Sequence, residues 1–369
     1  MTTYKTSEWV SPGHPDKVAD YISEYILDRF IEQDPNTRYA LEVQIKDNHV
    51  SLAGEVTSMA APTDEDIRHW TREAVNEIGY TKNYKERFAK GSTICGDELN
   101  VDLYISRQSP DIAQGVNKDA WGDQGIFFGY FCRETPNGEG IDQYLARKLG
   151  EELYHAALYN TDTVGIDIKT QVTVVIESTG EYEVKEVIVA IPCNPEKITE
   201  KQLKAFVKKK IETHIPEAKG AKLIVNGTGA YQVHGPVGDS GTTGRKLVVD
   251  FYGSRSRIGG GSPWTKDGSK ADLTLNIFAY EMARNVYNEL KDQVSGIHHI
   301  ETELSCCIGK QDVRMFVTAY DENNVPVYEA VEEEKIKPSV LIKKYGLDKP
   351  HYADLCRYGL FSCIEGGKK

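Results

Sequence analysis

The chain has 369 residues and a mass of 41.3 kDa. This exceeds the size at which one hydrophobic core usually stops growing, so we expect two or three domains. The formal net charge of -12 makes nucleic acid or an anionic membrane a poor primary partner, although a local basic cluster can still bind a small anion.

Neither the first residues nor any later segment predicts export or membrane insertion. Met1 to Lys5 are not apolar, and no run approaches the roughly 18 apolar residues that a membrane helix needs. The seven cysteines are scattered and form no Cys-x-x-Cys pair. We therefore expect reduced, mostly structural thiols in a cytoplasmic protein without a membrane partner.

Two strand-like segments followed by a helix-like segment occur three times. The first unit has strands at Tyr39–Ile45 and Val50–Val56 and a helix at Thr63–Ile78. The other two units are predicted at Thr170–Ile176, Glu183–Ile191 and Glu200–Thr213, and, less clearly, at Glu303–Ile308, Val313–Tyr320 and Ser339–Tyr345. Longer helices are predicted at Lys17–Gln33, Asp142–Asn160 and Leu273–Asp292.

This order of elements predicts an α/β (α+β) fold of three similar sheet-plus-helix domains related by internal pseudo-threefold symmetry. We place the domains at residues 1–110, 111–230 and 231–369, with exchanges of chain between them. The longer helices are expected to pack across the sheets. Because two strands and a helix are a common succession, coincidence is the alternative explanation of the repeat.

Glycine and basic residues are concentrated between Gly227 and Asp272. Glycine lets backbone amides approach a ligand closely, and neighbouring Lys and Arg side chains supply what a polyphosphate needs. One strand, Leu247–Tyr252, is predicted inside the segment, which is neither a Walker A loop nor a dinucleotide fingerprint. A solvated loop is the alternative; we favour an anion site surrounded by Arg245, Lys246, Arg255, Arg257, Lys266 and Lys270.

A second candidate lies at the start of the first long helix, in Gly13-His14-Pro15-Asp16-Lys17. Proline suits the first helical position, and a helix N-terminus favours an anion. Asp16 could hold Mg²⁺ beside that anion, because Mg²⁺ usually takes one or two carboxylates plus phosphate oxygens. Taken alone, the segment is equally typical of a capping turn.

A third polar cluster comprises residues 108–112 and 121–125. Its carboxamide and carboxylate groups suit an amino-acid zwitterion or an adenosine, or simply form turns.

Together these segments resemble the S-adenosylmethionine synthetase (methionine adenosyltransferase) family over nearly the whole chain. The resemblance begins with Ser7-Glu8-x-Val10-Ser11-x-Gly13-His14-Pro15-Asp16-Lys17. Its longest motif is Gly235-Pro236-x-Gly238-Asp239-x-Gly241-x-Thr243-Gly244-Arg245-Lys246. Between and after them lie Gly54–Thr57, Gln108–Ile112, Gly122–Gly125, Asp167–Val172, Gly259–Gly261 and Lys266–Asp272.

The resemblance implies a role for each matching position. Asp16 and Asp272 would hold Mg²⁺, with two ions per site, and Glu42 would belong to a K⁺ site. The implied methionine contacts are Glu55, Gln108, Asp239 and Lys270. The implied ATP contacts are His14, Lys17, Asp123, Asp167, Lys169, Tyr231, Asp239, Arg245, Lys246, Ser262 and Lys266. Catalytic roles fall to His14, Lys169, Arg245, Lys266 and Lys270, and Tyr231 would stack on adenine.

The implied reaction is attack of the methionine sulfur on C5′ of ATP, with release of triphosphate that is then hydrolysed to phosphate and pyrophosphate. His14 would assist departure of the leaving oxygen. The family also implies a homodimer with active sites between subunits, or a dimer of dimers. The rival hypotheses are another ATP-dependent transferase, such as a kinase-like enzyme, and a catalytically silent nucleotide-binding subunit.

Three departures from the family pattern are visible. Pro263-Trp264 stands in a loop that normally has small residues. The segment between Val116 and Gly122 is shorter than usual and contains Trp121, and the aromatic-basic ending is cut back. We expect altered loop dynamics and oligomer size from these changes, with the chemistry retained.

Overall fold

The computed structural model describes residues 3–88, 91–106, 119–160, 162–177 and 180–364. Its strands are β1 Thr3–Val10, β2 Arg38–Lys46, β3 His49–Thr57, β4 Asn100–Ser106, β5 Gly125–Cys132, β6 Lys169–Ile176, β7 Tyr182–Ala190, β8 Lys222–Val225, β9 Gly241–Thr242, β10 His299–Cys306, β11 Asp312–Tyr320 and β12 Pro326–Lys335. Its α-helices are α1 Pro15–Gln33, α2 Asp64–Ile78, α3 Lys82–Phe88, α4 Ile141–Tyr159, α5 Glu200–His214, α6 Leu247–Asp250, α7 Ala271–Leu290, α8 Pro338–Tyr345 and α9 Tyr352–Tyr358.

The strands form three four-stranded sheets, and each is built around one antiparallel hairpin. The strand orders are β1-β6-β7-β8, β4-β3-β2-β9 and β12-β11-β10-β5. The three predicted hairpins are therefore confirmed as β2–β3, β6–β7 and β10–β11. Each sheet also takes a strand from far along the chain, because β1 pairs with β6, β9 with β2, and β5 with β10.

A long helix covers one face of each sheet, as predicted. Helix α1 packs on β2 and β9, α4 on β1 and β6, and α7 on β5 and β10. In β2, every second residue from Tyr39 to Ile45 is buried, which is the alternation expected of a half-buried strand. The mixed α/β class predicted from the sequence is confirmed.

Two local predictions need correction. Leu247–Tyr252 was expected to form a strand, but Leu247–Asp250 forms the single helical turn α6. No sheet edge pairs with this β-branched run in the described structure, and its backbone closes locally, with the Phe251 amide donating to the Leu247 carbonyl at 3.0 Å. Six of the described strands were not predicted from the sequence: β1, β4, β5, β8, β9 and the edge strand β12. Nearly every residue of this edge strand is exposed, so it lacks the apolar alternation that predicts strands.

Among the described residues, no helix is both long and apolar enough to cross a bilayer.

Candidate active site

The N-terminal and glycine-rich motifs meet where helix α1 begins. Asp16 Oδ1 accepts a hydrogen bond from the Thr242 amide at 3.0 Å, and Asp16 Oδ2 lies 2.5 Å from Lys246 Nζ. Arg245 Nε is 3.5 Å from the same carboxylate. A side chain at Gly241 would meet the Pro15 carbonyl oxygen at 2.0 Å, so only glycine allows this approach.

His14 caps helix α1 and is 6% exposed. Its Nδ1 accepts the Asp16 amide at 3.2 Å, which leaves the ring proton on Nε2. Burial, with the positive charges of Lys246 and Lys169, lowers the pKa of His14 to about 3. The imidazole is therefore neutral at physiological pH and can donate a hydrogen bond from Nε2.

Lys17, predicted as an ATP contact, is engaged inside the protein. Its Nζ lies 2.8 Å from Asp250 Oδ1 and 3.1 Å from Asp20 Oδ2, and it sits 4.6 Å from the ring centre of Trp264. The side chain is only 6% exposed. Two carboxylates and an aromatic ring thus surround its charge.

Two further lysines of the glycine-rich segment pair with carboxylates at the start of α7. Lys266 Nζ donates to Asp272 Oδ2, and Lys270 Nζ donates to Asp267 Oδ2 at 2.6 Å. A side chain at Gly261 would come within 2.1 Å of the Asp272 carboxylate. The backbone at residue 261 therefore passes directly against the predicted metal ligand.

Glu42 and Glu55 lie on one face of the β2–β3 hairpin. Glu55 stands opposite Ala40 in the strand register, and Ala40 forms a backbone bridge with Lys266. Glu55 is thereby placed beside the segment that carries the catalytic lysine candidates. Gln108, the other predicted methionine contact on this side, lies outside the described residues.

Two threonines that the sequence analysis missed bind the Glu42 carboxylate. Thr243 donates its hydroxyl to Glu42 Oε2, and Thr265 donates to Oε1 at 3.2 Å. Thr265 is buried with φ at +73°, a conformation that is unusual for a β-branched residue and is concentrated at functional sites. Its position one residue before Lys266 was the signal available in the sequence.

Asp167 and Tyr231 form a second part of the site around the 235–239 turn. Asp167 Oδ2 accepts the Gly235 amide at 2.8 Å, and burial raises the pKa of Asp167 to about 6. Burial, followed by the charge of Asp167, raises the pKa of Tyr231. Asp239 donates its amide to the Gly235 carbonyl at 3.1 Å and belongs to the same turn.

The Cys306 thiol lies beside Asp123. The Asp123 carbonyl accepts from Cys306 Sγ at 3.5 Å. Burial, followed by the charges of Asp123 and Asp272, raises the pKa of Cys306 to about 12.

The Ser262 hydroxyl accepts a hydrogen bond from the Trp264 amide at 3.1 Å, so Ser262 lies at the turn before the Lys266 segment.

Arg255 and Arg257 do not join the predicted anion cluster. Arg255 is buried and bonded to both Glu134 and Asp142, while Arg257 pairs with Glu301 and Glu303. These nearby carboxylates neutralise both guanidinium groups. The expectation from the sequence was wrong here, because clustering along the chain does not reveal ion pairs formed with other elements.

The two bulky side chains that depart from the family pattern, Trp264 and Trp121, lie in the protein interior. Trp264 is 1% exposed and Trp121 is completely buried. Both rings are part of the hydrophobic core.

The carboxylates suit a metal that arrives with a polyphosphate. No group of three or more metal-binding side chains forms a cage in the described part of the chain. Asp16 and Asp272 nevertheless offer single carboxylates, each already facing a lysine. This matches Mg²⁺, which completes its shell with phosphate and water oxygens.

Models of the S-adenosylmethionine synthetase N-terminal, central and C-terminal domains match residues 2–110, 118–231 and 233–365. The chain belongs to the S-adenosylmethionine synthetase family and is, by class, a methionine adenosyltransferase.

Individual relatives agree with this assignment. An S-adenosylmethionine synthase of Parafrankia sp. (strain EAN1pec) is 34% identical over 96% of this chain and 92% of its own length. S-adenosylmethionine synthase 1 of Frankia casuarinae is 33% identical with the same coverage. A solved structure described as an unusual S-adenosylmethionine synthetase from Campylobacter jejuni matches with a TM-score of 0.83 at 29% identity, covering 97% of this chain and 94% of that one.

Proposed function

We propose that this site joins the sulfur of L-methionine to C5′ of ATP, releases the triphosphate intact, and then hydrolyses it to phosphate and pyrophosphate. The observation that carries the proposal is the pairing of Lys246 with Asp16 and of Lys266 with Asp272. Both lysines are held on carboxylates that would suit Mg²⁺ as ligands. With Asp16 and Asp272 holding the metal, Lys246 and Lys266 would be free to bind phosphate oxygens.

The chemistry needs positioning more than proton transfer. A thioether sulfur is neutral and already nucleophilic, so no base is required to activate it. Holding two reactants in line can supply roughly 7–11 kcal/mol of the barrier, and donors fixed where charge develops stabilise the leaving group. Neutral His14 suits this task, because it can donate from Nε2 to the departing oxygen without carrying a full charge.

Asp16 and Asp272 are the proposed Mg²⁺ ligands, with two ions per site, and Glu42 is the proposed K⁺ ligand. Bound Mg²⁺ would neutralise the charge that develops on the triphosphate. The protein's own contribution is the set of basic side chains around it: Lys169, Arg245, Lys246 and Lys266. Asp123, Asp167, Tyr231 and Ser262 are the proposed nucleoside and phosphate contacts.

Methionine is proposed to lie beside Glu55, Gln108, Asp239 and Lys270. Glu55 is partly exposed on the open face of the β2–β3 hairpin, where a carboxylate can accept the ammonium group of an amino acid. The Lys270 ammonium group would then move from Asp267 to the substrate carboxylate, or bind both carboxylates at once.

We further propose a homodimer with active sites between subunits. The face of β2 and β3 that carries Glu42 and Glu55 continues to Tyr104 on β4, which stands beside Ala53 in the register and is 67% exposed. This open face is where we propose that the second subunit packs. Light scattering coupled to size-exclusion chromatography distinguishes monomer, dimer and tetramer.

The test of function is a reaction of the purified protein with ATP, methionine, Mg²⁺ and K⁺, followed by mass detection of products. We expect S-adenosylmethionine, phosphate and pyrophosphate. Lys266→Ala should abolish most of the product, whereas Lys208→Ala, on the exposed face of α5, should not. Release of ADP would indicate a kinase-like enzyme, and the absence of any product would overturn the proposal.

A further inference from the structure

Trp264 has an anchored position two residues before Lys266. The side chain is 1% exposed, and its indole Nε1 donates to Asp250 Oδ2 at 2.7 Å. A buried indole N–H with a charged acceptor is a directional contact, so it fixes the ring's orientation as well as its depth.

Asp250 connects Trp264 to the helix that carries the N-terminal motif. Its second oxygen, Oδ1, accepts Lys17 Nζ at 2.8 Å, and the same ammonium lies 4.6 Å from the Trp264 ring centre. The three side chains therefore contact one another in a closed set, which we call the 17–250–264 lock. It joins α1, α6 and the loop before α7.

The lock directly precedes a strained residue. Thr265 has φ at +73° and is 1% exposed, and its amide donates to the buried Glu24 Oε1 at 2.6 Å. A β-branched residue keeps such a conformation only when its surroundings over-determine it. Here the lock fixes the preceding residue, Trp264, and the Glu24 carboxylate fixes the Thr265 amide, so both hold Thr265 in this conformation.

We propose that Trp264 is a positioning residue that holds the 262–266 segment through Asp250 and Lys17, so that Lys266 is fixed where charge develops on the leaving group. In this assignment Lys17 acts through Asp250 instead of contacting the nucleotide. The inference rests on the proposed function for its catalytic consequence, although the lock itself is a property of the protein without substrate.

The test compares Trp264→Phe with Trp70→Phe as the matched control. Phenylalanine keeps an aromatic ring at position 264 but removes the donor to Asp250 together with some ring volume. Trp70→Phe makes the same chemical change on α2, where Trp70 packs against Phe30 near the C-terminal end of α1. For Trp264→Phe we expect kcat to fall by about 10-fold or more with KM for ATP within about 3-fold, because preorganisation is lost and binding is not. The control should match the wild type.

A second measurement reads the segment directly. Hydrogen–deuterium exchange of the substrate-free protein should show faster exchange at residues 264–266 in Trp264→Phe and unchanged exchange in Trp70→Phe. Asp250→Asn, which keeps an oxygen acceptor but removes the charge facing Lys17, should show the same acceleration and replaces Trp264→Phe if that variant does not fold.

Unchanged exchange at residues 264–266, wild-type kcat, or a loss confined to KM for ATP would each overturn the proposal. Failure of the wild type to make S-adenosylmethionine would instead overturn the proposed function. The exchange measurement would still test whether Trp264 holds residues 264–266 in place.

Discussion

Lys246 Nζ lies 2.5 Å from Asp16 Oδ2, across 230 residues of chain. Burial alone raises the pKa of Asp16, but the Lys246 hydrogen bond and the Thr242 amide outweigh it and lower the pKa below its usual value. Asp16 is therefore ionised at neutral pH and already faces a cation. The N-terminal motif and the glycine-rich segment meet at this carboxylate, which makes it the most informative position to change.

Asp16→Asn should lower kcat by about 100-fold or more and raise the Mg²⁺ concentration needed for half-maximal rate, since an amide is a weaker metal ligand than a carboxylate. The measurement is initial rate against Mg²⁺ concentration. Glu65→Gln, on the exposed side of α2, is the control. An unchanged Mg²⁺ dependence would remove Asp16 from the metal site.

The pH dependence of turnover should show no ionisation of His14 near neutrality. Its pKa of about 3 lies below the ordinary value, so the imidazole is neutral above about pH 4 and gains a proton only as the pH falls through about 3. His14→Asn should lower kcat without removing a limb of the profile between about pH 5 and 9. Loss of a limb near pH 6.5 in this variant would show that His14 titrates as an acid instead.

Lys270→Ala should lower kcat by about 100-fold and change the dissociation constant for a non-hydrolysable ATP analogue by less than about 3-fold. The reason is that Lys270 is proposed to steady the reacting geometry beside methionine. Lys291→Ala, exposed at the other end of the helix that Lys270 precedes, is the control. Equal losses in turnover and nucleotide binding would make Lys270 an ordinary binding contact.

Arg255→Met should destabilise the protein without acting on the chemistry. Arg255 and Asp142 have side chains 3% and 0% exposed, so the variant leaves a buried carboxylate without its guanidinium partner, at a cost of about 3–5 kcal/mol. Arg257→Met, at a side chain 59% exposed, should cost less than about 1 kcal/mol. Urea unfolding measures both, and similar midpoints for the two variants would contradict the prediction.

The predictions from sequence failed where the outcome depended on other parts of the chain. The run at 247–252 has strand propensity, but in the described structure it pairs with no sheet edge and its backbone closes into a helical turn instead. Arg255 was grouped with the anion-binding lysines because it is near them in sequence. Its charge is neutralised instead by Glu134, which follows β5, and by Asp142 of α4. Strand β12 was missed because an exposed edge strand carries no apolar alternation.

The sequence by itself determined the family, the three hairpins and the long helices, because motif chemistry and hydrophobic periodicity are encoded in short stretches of chain. Only the tertiary structure decided which charges remain available to a ligand. Lys17 and Arg255 are enclosed by carboxylates, whereas Lys246 and Lys266 lie on carboxylates that suit a metal. The physical reason is that burial, and contacts between residues far apart in the chain, decide which partner each charged side chain has. The local spacing of residues predicts neither.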